Sequence, residues 1–196
     1  MLKNAIQSNR NSLLILLVIT AFCYSPVVKN EFVTFDDGVL IRYNPIVTDE
    51  GVSIRDIIEY KNFNPHYKPL VFLTWRAEYQ IFGENSLPFH LNNFLLHLLN
   101  TFLLFYIGLR LFPKLGVDEP KTRLFSFISA LLFAIHPLHV ESVAWATERK
   151  DVLYSFFFLL GWLFYFRFLD KKKKYFLALS ALSYILLFFS NSMCIN

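Results

Sequence analysis

The chain has 196 residues, 55% of them hydrophobic and only 17% charged, with 23 Phe and a net charge of +4. A soluble domain carries about a quarter charged residues, and here the apolar ones are clumped into long runs, which argues against a soluble core and for membrane spans. No basic groove interleaved with exposed aromatics is present, so nucleic acid is excluded as a partner. The dense run 171–174 lies between two apolar segments and reads as a cytoplasmic membrane anchor. Cys23 and Cys194 form no CxxC and define no metal or disulfide framework.

The pattern predicts an all-α polytopic membrane protein with five transmembrane helices, at about residues 12–28, 91–111, 124–140, 152–169 and 175–190. The first follows Lys3 and Arg10 and has no clean cleavage site, so it is read as a retained span rather than a signal peptide. With the N-terminus in the cytoplasm, the inner segments hold 11 positives against three acids, and the outer ones 8 against 12. The two sides net +8 and −4, and the positive-inside bias supports that orientation.

This layout leaves residues 29–88 as one large outer loop containing short amphipathic helices. Ser53, with Asp56 three residues on, has the form of an N-terminal cap. A second helix is predicted over 68–82, with Pro69 in its first turn and Gly83 just past its end. Phe72, Trp75, Tyr79 and Phe82 share one face of it, as in a helix lying in the membrane interface or one packed on the spans as core.

Three groups of residues can carry chemistry. Asp36 and Asp37 follow the first span; adjacent acids at a membrane surface can hold a divalent cation or take a proton from a hydroxyl, and Asp37-Gly38 is equally a turn signal. His90, Asn93, His97 and Asn100 share one face of the second span. They face protein or a water-filled cavity, either as helix–helix hydrogen bonds or, for His90 and Asn93 near the outer mouth, as ligands to substrate. The third is His136-Pro137 with His139 and Glu141, then Glu148, Arg149, Lys150 and Asp151. Pro137 ends or bends the third span. His136, His139 and Glu141 are candidate ligands to substrate, a lipid phosphate or sugar, or to a metal, although their spacing matches no standard zinc motif. Arg149 and Lys150 can hold a phosphate or pair with nearby acids.

Phe35-Asp36-Asp37 with Asn44-Pro45, Lys68-Pro69-Leu70, His90-Leu91-Asn92-Asn93 with His97 and Asn100, and the run 136–151 occur in an order and spacing that resembles a known family. They look like the N-terminal membrane region of the tetratricopeptide-repeat-containing transmembrane O-mannosyltransferases and their bacterial relatives, in the GT-C class of glycosyltransferases. The resemblance implies a partial GT-C fold and transfer of a sugar from a polyprenyl-phosphate carrier to a protein hydroxyl at the outer face. It implies a catalytic acid at Asp36-Asp37, acting as base or positioning a divalent metal. By charge, Arg149 or Lys150 would then neutralise the leaving phosphate. The partners so implied are membrane lipid, the lipid-linked sugar and an acceptor protein.

Members of that family are longer, with further spans and a C-terminal repeat domain. The expectation is therefore a truncated chain, or one whose missing spans come from a partner subunit. A non-catalytic membrane scaffold is the alternative, and a transporter using the polar stripe of the second span is a third reading. A multi-pass protein of the bacterial inner membrane is the expected location.

Overall fold

The computed structural model describes residues 2–60 and 67–191, with side chains from Asn9 onward; Cys194 lies outside this range. The described residues are helical and contain no strand. A long helix α1 (Leu2–Tyr24) closes in a 3-10 turn, Ser25–Lys29. A loop segment follows, with short helices α2 (Pro45–Thr48) and α3 (Ile54–Glu59) and the longer α4 (Pro69–Phe82). Then come α5 (Ser86–Lys114), α6 (Glu119–Ile135), the short α7 (His139–Ala144), α8 (Arg149–Lys171) and α9 (Lys174–Ser190).

Among the described residues three helices are long and apolar enough to cross a membrane: Asn9–Lys29, Ser86–Lys114 and Ala146–Lys171. Lys174–Ser190 is apolar but shorter. Both α6 and α9 have 17 residues, about 25 Å at 1.5 Å per residue, less than the roughly 30 Å of a bilayer core. The third expected span also ends earlier than residue 140. His136 is extended (φ −66°, ψ 130°) and caps α6 at Ile135, because Pro137 disfavours helix in the residue before it. The second begins earlier than residue 91: the Asn85 side chain accepts from the Leu87 N–H at 3.1 Å and starts the helix at Ser86.

The helices meet where side chains are small. Gly108 of α5 lies against Ser126 of α6, so close that a Cβ there would be 2.7 Å from the Ser126 hydroxyl. Gly161 of α8 packs on Tyr184 of α9, and the Ser180 hydroxyl donates to the Gly161 carbonyl at 2.9 Å. Lipid offers no hydrophobic drive between helices, so close backbone approach and hydrogen bonds hold them together. At one end of the bundle Arg110 and Lys114 share Asp170, at 2.5 and 3.2 Å. At the other, the loop segment folds down as a cap.

Local chemistry shapes the cap. Ser53 and Asp56 form the expected reciprocal bonds at the start of α3. Pro69 opens α4, and Gly83 takes φ 63° to close it. Phe72 and Trp75 are buried with Val71, Phe89, Val143 and Val152 in the main core, which decides their stripe in favour of packing; Phe82, at its end, is exposed. Asn30 ties the cap to the helices: its amide donates to the Ala144 carbonyl at 3.3 Å, and its own carbonyl accepts from the Ser86 hydroxyl at 2.9 Å.

Candidate functional site

The two adjacent acids have different surroundings. Asp37 is fully buried. One carboxylate oxygen accepts the Val33 N–H at 2.9 Å and the other the Thr147 N–H at 3.1 Å. Asp37 thereby bolts the loop after α1 to the turn before α8, 110 residues away. Asp36 is half-buried and accepts no hydrogen bond among the described residues. Its charge instead acts on Lys68.

Lys68 is the centre of the site. It is 4% exposed and precedes Pro69 at the start of α4, with its amine 5.4 Å from the Trp75 ring centre. Its pKa is lowered to about 8, chiefly by burial and next by Lys150, while Glu148, Asp36 and Asp151 act in the opposite direction. Lys150 in turn pairs with Glu148, and both side chains are largely buried. The Ser142 hydroxyl donates to Asp151 at 3.1 Å, joining α7 to the group. Asp36, Lys68, Glu148, Lys150 and Asp151 thus form one charged cluster where the cap meets the start of α8. It carries two cations and three acids.

Arg149, read from sequence as a phosphate ligand, faces away from this cluster. It is fully buried and pairs with Glu78 of α4 at 2.6 Å. It also donates to the Asn93 side chain at 2.9 Å, the Thr74 hydroxyl at 3.1 Å and the Phe89 carbonyl at 2.8 Å. Asn92 donates to the other oxygen of Glu78 at 2.6 Å. The Glu78 carboxyl is raised above its ordinary pKa by burial, against the opposing pull of Arg149. Four of the five guanidinium N–H donors of Arg149 are thus bonded within the protein.

The polar stripe of α5 is likewise committed. Asn93 donates to the Trp145 carbonyl at 2.8 Å, the His97 ring bonds the Ala134 carbonyl at 2.9 Å, and Asn100 donates to the Val152 carbonyl at 2.9 Å. Ala134 is in the last turn of α6, whose terminal carbonyls have no partner within the helix. Bonding between segments therefore accounts for Asn93 as well as His97 and Asn100. His90 is fully buried, its ring 6.3 Å from that of Phe32.

His139 is half-buried, its ring tilted 4.5 Å from the Phe133 ring and 5.9 Å from that of His97. Burial, and then His136, lowers its pKa. His136 is exposed and accepts the Leu138 N–H at 3.3 Å, and Glu141 is exposed. Neither acts on Lys68 as the other four cluster residues do.

A divalent metal does not fit the expected place. The oxygens of Asp37 are turned to backbone N–H groups. Among the described residues no three His, Cys, Asp or Glu side chains come together to hold an ion. Sequence reasoning missed Lys68 and Glu78 as individuals, and their only local signal was position: Lys68 precedes the proline that starts α4, and Glu78 lies three residues from Trp75 on its buried face.

No family model matches the chain, and no solved structure matches it. Curated proteins do. Protein O-mannosyl-transferase TMTC1 of Mus musculus is 35% identical over 164 residues, 78% of this chain and 16% of that protein. Protein O-mannosyl-transferase F38B6.6 of Caenorhabditis elegans is 30% identical over 168 residues, 80% of this chain and 23% of that protein. Protein O-mannosyl-transferase TMTC4 of Homo sapiens is 32% identical over 158 residues, 73% of this chain and 21% of that protein. The chain spans less than a quarter of the length of these relatives. Over about three quarters of its own length, this helical membrane chain resembles the protein O-mannosyl-transferases of the TMTC group.

Proposed function

We propose that this chain forms the donor-side part of a membrane glycosyltransferase of the GT-C class, transferring mannose from a polyprenyl-phosphate carrier to a Ser or Thr hydroxyl of a protein. The observation that carries the reading is the buried Lys68 amine, on which Asp36, Lys150, Glu148 and Asp151 all act electrostatically. Asp36 takes the acceptor hydroxyl proton. The freed oxygen bonds to the anomeric carbon, with inversion. The bond from that carbon to the carrier phosphate oxygen breaks, and its electron pair leaves on the phosphate. Lys68 and Lys150 receive that charge in a site partly shielded from water, where electrostatic stabilisation is strongest. Asp37 is the positioning residue, since it holds the Asp36 loop against the turn that carries Glu148 and Lys150. No step passes through a metal.

The relatives' names support the sugar and the acceptor class. The sorting of charge supports an orientation with Arg110, Lys114 and 171–174 in the cytoplasm and the cluster outside. The test uses membranes carrying the full natural polypeptide, supplied with labelled polyprenyl-phosphate mannose. The expected result is label in protein hydroxyls, with the apparent KM for the carrier raised about tenfold or more by Lys68→Ala. Stable insertion with no transfer from this donor, under conditions where a known mannosyltransferase works, would instead support a scaffold.

A further inference from the structure

The seam between α1 and α5 holds a second site, remote from the charged cluster. The helices are antiparallel, because the loop between them returns the chain to the end it left. Two cavities lie in line along the seam. One, of about 460 Å³, is lined by Arg10, Leu13, Tyr106, Leu109 and Arg110. The next, of about 620 Å³, is lined only by apolar side chains, among them Leu17, Val18, Ala21, Leu95, Leu99 and Phe102. Each falls in the roughly 300–1,000 Å³ range of small-molecule sites.

The spacing explains why the cavities are collinear. Residues 10, 13, 17 and 21 of α1 recur every three or four, as do 95, 99, 102, 106 and 109 of α5, so each helix turns one face to the seam. Running antiparallel, they set Arg10 opposite Arg110 and Leu17 opposite Phe102. The crevice is therefore cationic at one end and apolar along the rest. Asp170 pairs with both Arg110 and Lys114, so with Arg10 this end keeps a net positive charge. Two arginines at one mouth call for an anion between them.

We infer that this crevice binds an anionic phospholipid of the inner leaflet, with its phosphate at Arg10 and Arg110 and one acyl chain along Leu17, Ala21, Leu99 and Phe102. Basic pockets between helices at a membrane's cytoplasmic side take acidic headgroups in this way. The site is separate from the donor site: Arg10 precedes Tyr24 by 14 residues, about 20 Å along the helix. The inference does not depend on the transferase reading.

The test is native mass spectrometry of the full polypeptide released from bilayers of phosphatidylethanolamine with a minor share of phosphatidylglycerol. The expected result is phosphatidylglycerol retained about tenfold over its share. Arg10→Gln with Arg110→Gln should bring it to parity, and so should Leu17→Trp, which fills the apolar part and leaves the charges. Arg10→Gln alone, an exposed position, serves if the double variant does not fold, and should at least halve the enrichment. Parity in the wild type would overturn the inference, as would enrichment indifferent to these substitutions. Displacement of phosphatidylglycerol from the arginines by added polyprenyl phosphate would also overturn it, by assigning the crevice to the carrier.

Discussion

The stripe on α5 and the cluster around Lys68 both hold polar side chains where water is scarce, yet they are built in opposite ways. In the stripe, Asn93, His97 and Asn100 each reach a backbone carbonyl of another segment. These are neutral groups, with their bonding spent on architecture. In the cluster, five ionisable groups crowd together; Asp36 makes no hydrogen bond there, and the Lys68 amine is held well below its usual pKa. Crowded charge of that kind is costly to assemble and is characteristic of sites where protons or phosphates are handled. The contrast separates what holds the bundle together from what the proposed reaction would use.

Substitutions break the comparison most sharply at Asp36. Asp36→Asn removes the base and should lower transfer by about 10²–10⁴-fold, with the protein still inserted and folded. Next is the buried ion pair. Glu78→Ala leaves Arg149 charged and unpaired in the interior, at a cost of about 3–5 kcal/mol, read as a lower melting temperature in detergent. Arg149→Ala should cost as much, which a role confined to binding phosphate does not predict.

Lys68 gives a pH signature with two opposite readouts. With its pKa at about 8, it is an ammonium below that pH and neutral above it. Transfer should fall as pH rises through about 8, and Lys68→Arg should move that fall upward. Stability runs the other way. A folded pKa depressed from 10.5 means that stability present above 10.5 is lost as pH falls through about 8. The smallest effect belongs to the stripe: Asn100→Leu should cost on the order of 0.6 to 1.7 kcal/mol, with transfer per folded molecule unchanged.

Much of the fold was legible because its signals are local. Ser53 with Asp56, Pro69 with Gly83, and His136-Pro137 each mark a helix end within a few residues, and each does so in the structure. The early start of α5 was hidden because Asn85 sits among polar loop residues, where a cap looks like any turn. The site was half legible. The Asp36-Asp37 pair stands out in the sequence, but the division of labour within it depends on the Thr147 N–H, 110 residues away. Arg149 looked like a phosphate ligand because its partner Glu78 lies 71 residues upstream. Lys68 stands in the Lys68-Pro69-Leu70 motif, but its burial among charges does not show there, since its environment is assembled from separate segments. Charges advertise themselves in a sequence; whether a distant partner has already claimed them does not show there.

The most direct test measures transfer from polyprenyl-phosphate mannose per folded molecule for Asp36→Asn and Asp37→Asn side by side. The account predicts near-complete loss at Asp36 with an unchanged melting temperature, and at Asp37 a lowered melting temperature with measurable transfer by the molecules that remain folded. Full transfer by folded Asp36→Asn would contradict it.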